Sequence, residues 1–131
     1  MAKGVTYKVN DHPAPRSIGN VREAVGWERC EEDCLAALQR YDTTVSAYNE
    51  SGILVGWCAA IIDGIYNGFF VEVIVHPQWQ RQGVGSALVA AAINDLRAKG
   101  ITLIHADFAE EHVAFYAHCG FTIGAGGFLK L

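Results

Sequence analysis

The chain of 131 residues predicts a single α/β domain, 1–131, built on a mixed, mostly antiparallel sheet with a central parallel strand pair and helices on both faces. Three features carry that expectation. Two strand-like runs, Phe69–Val75 and Ile101–Ala106, flank a helical stretch, and a strand–helix–strand crossover makes its two strands parallel. The hairpin-linked strands before Phe69 are joined by turn-length links, which make antiparallel neighbours. Helical patterns stand both before and after the strand-rich middle, so each sheet face has a cover.

Taken in order, Gly4–Asn10 alternates as a short strand with Val5, Tyr7 and Val9 on one face, and His12-Pro13-Ala14-Pro15 is a loop. Asn20 with Glu23 reads as a capping box that opens a short helix over Val21–Gly26. Glu31, Glu32 and Asp33 suit the positive end of the next helix, which turns Cys34, Leu35 and Leu38 inward and ends near Arg40. Thr43–Tyr48 and Ile53–Ile62 are strands joined by the turn Asn49–Gly52. Asp63-Gly64 and Asn67-Gly68 mark the reversal into Phe69–Val75. The following helix buries Leu88, Val89, Ile93 and Leu96 and stops at Lys99-Gly100. Ile101–Ala106 then reads as a buried strand, Ala109–His118 as a helix, and Phe121–Ile123 and Phe128–Leu131 as strands joined by a glycine-rich loop.

Composition narrows the function. Half the residues are hydrophobic, yet no apolar run approaches the ~20 residues of a membrane span. A net charge of −4, from ten basic and fourteen acidic residues, argues against a nucleic-acid partner and is compatible with a cationic amine. Cys30, Cys34, Cys58 and Cys119 lack zinc-ligand spacing, and His76, His105, His112 and His118 are scattered, so no metal is expected. The start, Met1–Val5, has no apolar leader; the expectation is a reduced, cytoplasmic setting.

The organising stretch is Phe69–Leu88. Its strand stops at His76-Pro77, because proline cannot donate to a ladder. A polar loop, Gln78–Gln82, then enters Gly83-Val84-Gly85 and a helix. This arrangement aims backbone N–H groups and a positive helix end at an anion, and glycine lets the backbone approach it. It reads as a phosphate cradle, although a tight turn without a ligand would use the same residues. A Walker loop is excluded because Ser86-Ala87, without lysine, follows Gly85. A dinucleotide fingerprint is excluded because Leu88 stands where its third glycine belongs.

Gln80-Arg81-Gln82-Gly83-Val84-Gly85 resembles the Gln/Arg-x-x-Gly-x-Gly/Ala signature of the GNAT superfamily of N-acetyltransferases. The residues before it, Val73-Ile74-Val75-His76-Pro77, resemble the end of that family's central strand. Ala114–Phe121 resembles its second signature, a helix ending in Phe-Tyr-x-x-x-Gly-Phe. The resemblance implies a fold in which the two parallel strands splay and the pantetheine arm of acetyl-coenzyme A (acetyl-CoA) enters between them. It also implies that Gln80 and the N–H groups of Arg81, Gln82, Gly83, Val84, Gly85 and Ser86 hold the pyrophosphate, with Arg81 adding charge. Backbone N–H groups of Val73, Ile74 and Val75 would hold the thioester oxygen and pantetheine.

Acyl transfer to an amine needs a base, a stabiliser for the carbonyl oxygen and a donor for the departing thiolate. Glu72 is the candidate base, as the single charge in Phe69–Val75; an ion pair with an arginine is the alternative reading. Tyr116 matches the family's Phe-Tyr position, where the phenol lies near the cofactor sulfur and acts as acid; a packing aromatic is its alternative. Many members carry asparagine seven residues before this tyrosine, and Ala109 stands there instead, followed by Glu110, Glu111 and His112. His112 and Asp107 lie near the expected cleft. Trp27 and Trp57 read as core or lid residues; the resemblance, in which early helices wall the acceptor pocket, implies as the alternative that Trp27 lines it.

The function implied is an acetyl-CoA-dependent N-acetyltransferase that acetylates a primary amine, a small molecule, by direct attack in a ternary complex. Cys119 has no base beside it in sequence, which disfavours an acetyl-cysteine intermediate. The alternatives are a protein lysine or N-terminal acetyltransferase and a catalytically weak CoA-binding sensor module. Dimers are common in the family, but this sequence carries no signature for a homodimer.

Overall fold

A computed structural model of the protein describes residues 3–131. Five strands, β1 (Thr6–Val9), β2 (Thr43–Tyr48), β3 (Leu54–Ile62), β4 (Asn67–Val75) and β5 (Leu103–Ala106), form one sheet in the order β1-β2-β3-β4-β5. The first three pairings are antiparallel and the last is parallel. Turn chemistry explains the two hairpins, β2–β3 and β3–β4. Asn49 Oδ1 accepts the N–H groups of Ser51 and Ile53, and Gly52 supplies φ +76°. Asp63 Oδ1 accepts those of Ile65, Tyr66 and Asn67 at the next reversal. The crossover helix α3 (Val84–Ala98), which follows α1 (Pro15–Ala24) and α2 (Glu31–Leu38) in the chain, makes β4 and β5 parallel.

Helices α1 and α2 cover one sheet face; α3 and α4 (Val113–His118) cover the other. Under α1 and α2, Ile18, Val21, Cys34 and Leu38 pack on Trp57, Ala59 and Ile74. Under α3, Leu88, Val89 and Leu96 pack on Val45, Val55, Cys58 and Phe70. Gly56 of β3 lets α3 sit close: a Cβ there would meet Leu88 Cδ1 at 2.9 Å and Val84 Cγ1 at 3.2 Å.

Local expectations change in four places. The first helix starts at Pro15 rather than Val21, because proline's fixed φ suits the first helical position; Asn20 and Glu23 lie inside the helix and form no capping box. Leu35 faces outward and is 57% exposed. The last strand is not buried: only Ile101, ahead of β5, is buried, while Leu103 and His105 are exposed because β5 is the sheet edge. No strand forms over Phe121–Ile123 or Phe128–Leu131. Gly124, Gly126 and Gly127 raise the entropy cost of ordering that loop, and no described strand pairs with it.

One irregularity shapes the cleft. Ala59 pairs with Glu72 and Ala60 with Phe70, so Val71 is an extra residue, a β-bulge that bends and twists β4. The bulge also resets the alternation. Phe70 joins the core under α3, whereas Glu72 and Ile74 turn to the α1/α2 face and Val73 to the α3 face. Pairing of β4 with β5 covers only Asn67–Phe70 against Leu103–Ala106. Beyond the bulge the two parallel strands have no pairing, and a cleft opens between them.

Candidate active site

The cleft has a volume of about 870 Å³. Val73, Ile74 and Val75 form its floor, and Glu111, His112, Phe115 and Tyr116 its far wall. Gln80, Arg81, Gly83, Gly85 and Ser86 border it on the α3 side; Ala24, Val25 and Trp27 border it where it opens toward α1 and α2. Most of the residues expected to bind cofactor therefore meet on one surface. Gln82 and Val84 do not line it: Gln82 donates from Nε2 to the Gln78 carbonyl at 3.0 Å, and the Val84 side chain is core.

Backbone polarity on the floor follows from one hydrogen bond. The His76 N–H donates to the Val55 carbonyl of β3 at 2.8 Å. Polar groups alternate along an antiparallel strand, so those of Ile74 also turn to β3, and those of Val73 and Val75 turn to the open edge. Gln80 Nε2 reaches the Val75 carbonyl at 2.9 Å, consistent with that orientation, and ties the loop to the strand end. The N–H groups of Val73 and Val75 are thus the floor's free donors.

The loop is curled by two left-handed residues, Arg81 at φ +61° and Gly83 at φ +84°. A non-glycine residue held there carries backbone strain, and successive amides in such a turn form an anion-binding concavity. The first intrahelical bond of this turn runs from Ala87 N–H to the Gly83 carbonyl at 3.1 Å. Val84, Gly85 and Ser86 therefore leave their N–H groups pointing out of the helix end, backed by the dipole of a helix of 15 residues. At Gly85 a Cβ would stand 3.0 Å from the Phe115 ring, so this glycine also lets α3 approach α4. This donor set fits a pyrophosphate.

Tyr116 is 7% exposed, stacks on Phe108 at 4.2 Å and meets Phe115 and Phe121 edge-on. Its hydroxyl is no orphaned buried atom, and the residue lines the cleft. Burial, with Cys58 and Cys119 adding to it, pushes the phenol up to about 12. It keeps its proton through neutral pH and meets the cleft as a donor. Burial also pushes Tyr41 and Tyr48 up to about 12. The sign of the resulting pH dependence is fixed: folded values above the ordinary 10.0 give stability that is complete below pH 10 and lost as pH rises toward 12. Denaturant melts between pH 9 and 12 should show that decline; a flat profile would contradict the burial of these rings.

Glu72 is paired. Arg22 Nη1 of α1 donates to its Oε1, and Trp57 Nε1 to its Oε2 at 2.8 Å, with the two charged side chains only 12% and 16% exposed. The carboxylate lies under α1, behind the cleft lining. Glu72→Gln leaves the Arg22 charge without its partner, and a loss of about 3 kcal/mol in unfolding free energy is expected by chemical denaturation. An unchanged midpoint would show that the pair holds nothing. Cys119 keeps its proton because burial raises its thiol, which makes it a poor nucleophile. Among the described residues no group of three His, Cys, Asp or Glu side chains could hold a metal ion. Among the described residues no helix is long and apolar enough to cross a membrane.

Sequence reasoning missed Arg22; of its two readings of Trp27, core or lid residue and pocket wall, the structure has the second, with the side chain 45% exposed on the cleft. Arg22 had a signal: it follows Ile18 by four residues, on the buried stripe of α1.

The fold and this site define an acetyltransferase of the GNAT type. The acetyltransferase (GNAT) domain model matches residues 40–123, and the chain belongs to that superfamily. It is 31% identical over 127 residues to the uncharacterized N-acetyltransferase ycf52 of Gracilaria tenuistipitata var. liui, covering 94% of this chain and 70% of that protein. To the chloroplastic serotonin N-acetyltransferase 2 of Oryza sativa subsp. japonica it is 32% identical over 112 residues, 82% of this chain and 56% of that one. A histone acetyltransferase of Glycine max, TAP1, is 30% identical over 110 residues, 76% of this chain and 48% of its own length. Among solved structures, a GNAT-family acetyltransferase from Streptococcus pneumoniae TIGR4 superposes with TM-score 0.79 at 26% identity, covering 97% of both chains. The acetyltransferase AAC(6')-Iy, held with a bisubstrate analogue of CoA and acetylneamine, shares the fold at TM-score 0.77 and 17% identity, again over 97% of both chains.

Proposed function

We propose that the protein is an acetyl-CoA-dependent N-acetyltransferase that acetylates a primary amine of a small molecule by direct attack in a ternary complex. The observation that carries this reading is the meeting, on one cleft, of a pyrophosphate-sized set of free loop amides, two unpaired β4 amides and a protonated Tyr116. Acetyl-CoA supplies the acetyl group as a thioester. The amides of Gly83–Ser86, with the Arg81 guanidinium, hold the pyrophosphate. The N–H groups of Val73 and Val75 fix the pantetheine and donate to the thioester oxygen as it becomes negative. Tyr116 O–H donates to the departing sulfur as the C–S bond breaks and the N–C bond forms. Full proton transfer from a phenol at about 12 to a thiolate of ordinary pKa ~8.5 is uphill, so the hydroxyl acts by hydrogen bonding.

The amine must also lose a proton. Both Glu72 oxygens are engaged, so we assign that carboxylate to holding Arg22, and assign deprotonation to transfer into solvent. The apolar surroundings of Ala24, Val25 and Ile74 disfavour an ammonium and favour the neutral amine. On this reading kcat/KM for the amine climbs about tenfold per pH unit up to the amine's own pKa. A kcat/KM that does not depend on pH below the amine's own pKa, with that independence abolished in Glu72→Gln, would return the base role to Glu72. Initial-rate kinetics at varied acetyl-CoA and amine, with the acetylated product identified by mass spectrometry, test the mechanism. Intersecting lines are expected; parallel lines would mean a covalent acetyl-enzyme. A protein acceptor is the second reading, supported by the similarity to the Glycine max histone acetyltransferase.

A further inference from the structure

We infer that Glu72 is a positioning residue: tied to Arg22 and Trp57, its carboxylate fixes the phase of the β4 bulge and so aims the Val73 and Val75 amides into the cleft. What those amides hold rests on the acetyltransferase reading above; the lock itself does not. The bulge decides two alternations at once. Ahead of it, the Asp63 N–H donates to the Asn67 carbonyl at 3.0 Å, so Asn67 and Phe69 turn their polar groups to β3, and Phe70 turns its own to β5. Continued without interruption, that alternation would turn the Val73 and Val75 amides to β3 and use them up in the sheet. The extra residue, Val71, reverses the order, which is why the His76 N–H meets the Val55 carbonyl. Side chains reverse with it. Phe70 lies in the core under α3, and an unbulged strand would send Glu72 there too; instead Glu72 turns under α1.

Of the β4 side chains past the bulge, Glu72 alone tells the two faces apart. Val73, Ile74 and Val75 are apolar and suit burial under either helix layer. Glu72 does not: under α3 its carboxylate would stand among Val45, Val55, Cys58 and Leu88, where an unpaired charge is heavily penalised. Under α1 it has two ties from different elements. Arg22 Nη1 donates to Oε1 from the helix, and Trp57 Nε1 donates to Oε2 at 2.8 Å from the neighbouring strand. Trp57 is fully buried and pairs across the ladder with Ile74, so its tie binds the bulged strand to β3 itself. Arg22 is held in turn by the Glu28 carbonyl, which accepts from its Nε at 2.6 Å. A one-residue slip of β4 would break both ties. The carboxylate thus acts on the acyl donor at one remove, through the backbone.

The test is backbone amide exchange, read by NMR on the protein alone, beside calorimetry with acetyl-CoA and with 3′-phospho-ADP, the pyrophosphate-bearing part of the donor. In the unsubstituted protein the Val73 and Val75 amides should exchange fast and that of Ile74 slowly. Arg22→Met combined with Glu72→Leu replaces the buried pair by apolar groups of similar size, which keeps the fold stable but lets residue 72 take either face. This double variant should slow exchange at Val73 and Val75 by about tenfold or more and speed it at Ile74. It should weaken acetyl-CoA by a similar factor, with the 3′-phospho-ADP Kd unchanged. A merely structural role would leave the exchange pattern as it is and move both ligands alike. Trp57→Phe keeps the charge pair and loses one tie, so the same amides should change in the same direction by a smaller factor; it carries the test if the double variant does not fold. Unchanged exchange at Val73 and Val75 in the double variant, or in Trp57→Phe where that stands in for it, would overturn the inference. Protection of these two amides in the unsubstituted protein would overturn it as well. Failure of acetyl-CoA to bind the unsubstituted protein would instead overturn the acetyltransferase reading, and the exchange pattern would still decide the lock.

Discussion

Tyr116→Phe is expected to lower kcat about a hundredfold while leaving acetyl-CoA affinity and thermal stability near those of the unsubstituted protein. The separation follows from what the ring and the hydroxyl each do. The ring fills the space between Phe108, Phe115 and Phe121, and phenylalanine keeps all three contacts. The hydroxyl faces the cleft, with its proton held to about pH 12, and its one consequence in this account is donation to the leaving sulfur. The pH profile of turnover should accordingly show no fall assigned to this group below pH 10. Single-turnover measurements on the variant locate the loss in the chemical step. An unchanged rate would remove Tyr116 from the chemistry and leave it as packing.

Gly83→Val is expected to abolish measurable acetyl-CoA binding without unfolding the protein. Residue 83 sits at φ +84°, where a β-branched side chain costs about 2 kcal/mol and the loop relaxes to another conformation. That relaxation turns the amides of Gly83–Ser86 away from their common focus. The core under α3 depends on Val84, Leu88, Val89 and Leu96, which lie past the turn, so circular dichroism and the melting transition should change little. Calorimetry with acetyl-CoA reads the binding loss. Normal affinity would mean that the loop does not hold the pyrophosphate.

The parts of this site legible in the sequence are those in which local chemistry is decisive. A strand stopped by proline, a glycine turn and an apolar helix are each set by residues adjacent in the chain. The hairpins are equally local, because Asn49 and Asp63 bind backbone groups within four residues. The parallel pair follows from the crossover helix. What escaped depends on distant partners. Glu72 and Arg22 are fifty positions apart, and nothing in either neighbourhood says that they meet. The bulge at Val71, which turns Glu72 under α1 and parts β4 from β5, leaves no mark in a run that is apolar on both sides of Glu72. Pro15 overrode the Asn20 cap because a fixed φ nucleates a helix earlier than a side-chain hydrogen bond can. The apolar residues after Phe121 alternate well enough for strands but meet no partner strand.

Calorimetric titration with acetyl-CoA and with S-acetylpantetheine, which lacks the pyrophosphate, tests the central claim most directly. The account predicts micromolar binding of acetyl-CoA, about −8 kcal/mol, and binding of the truncated thioester at least about a hundredfold weaker. Equal affinity for the two thioesters, or no heat with either, would contradict it.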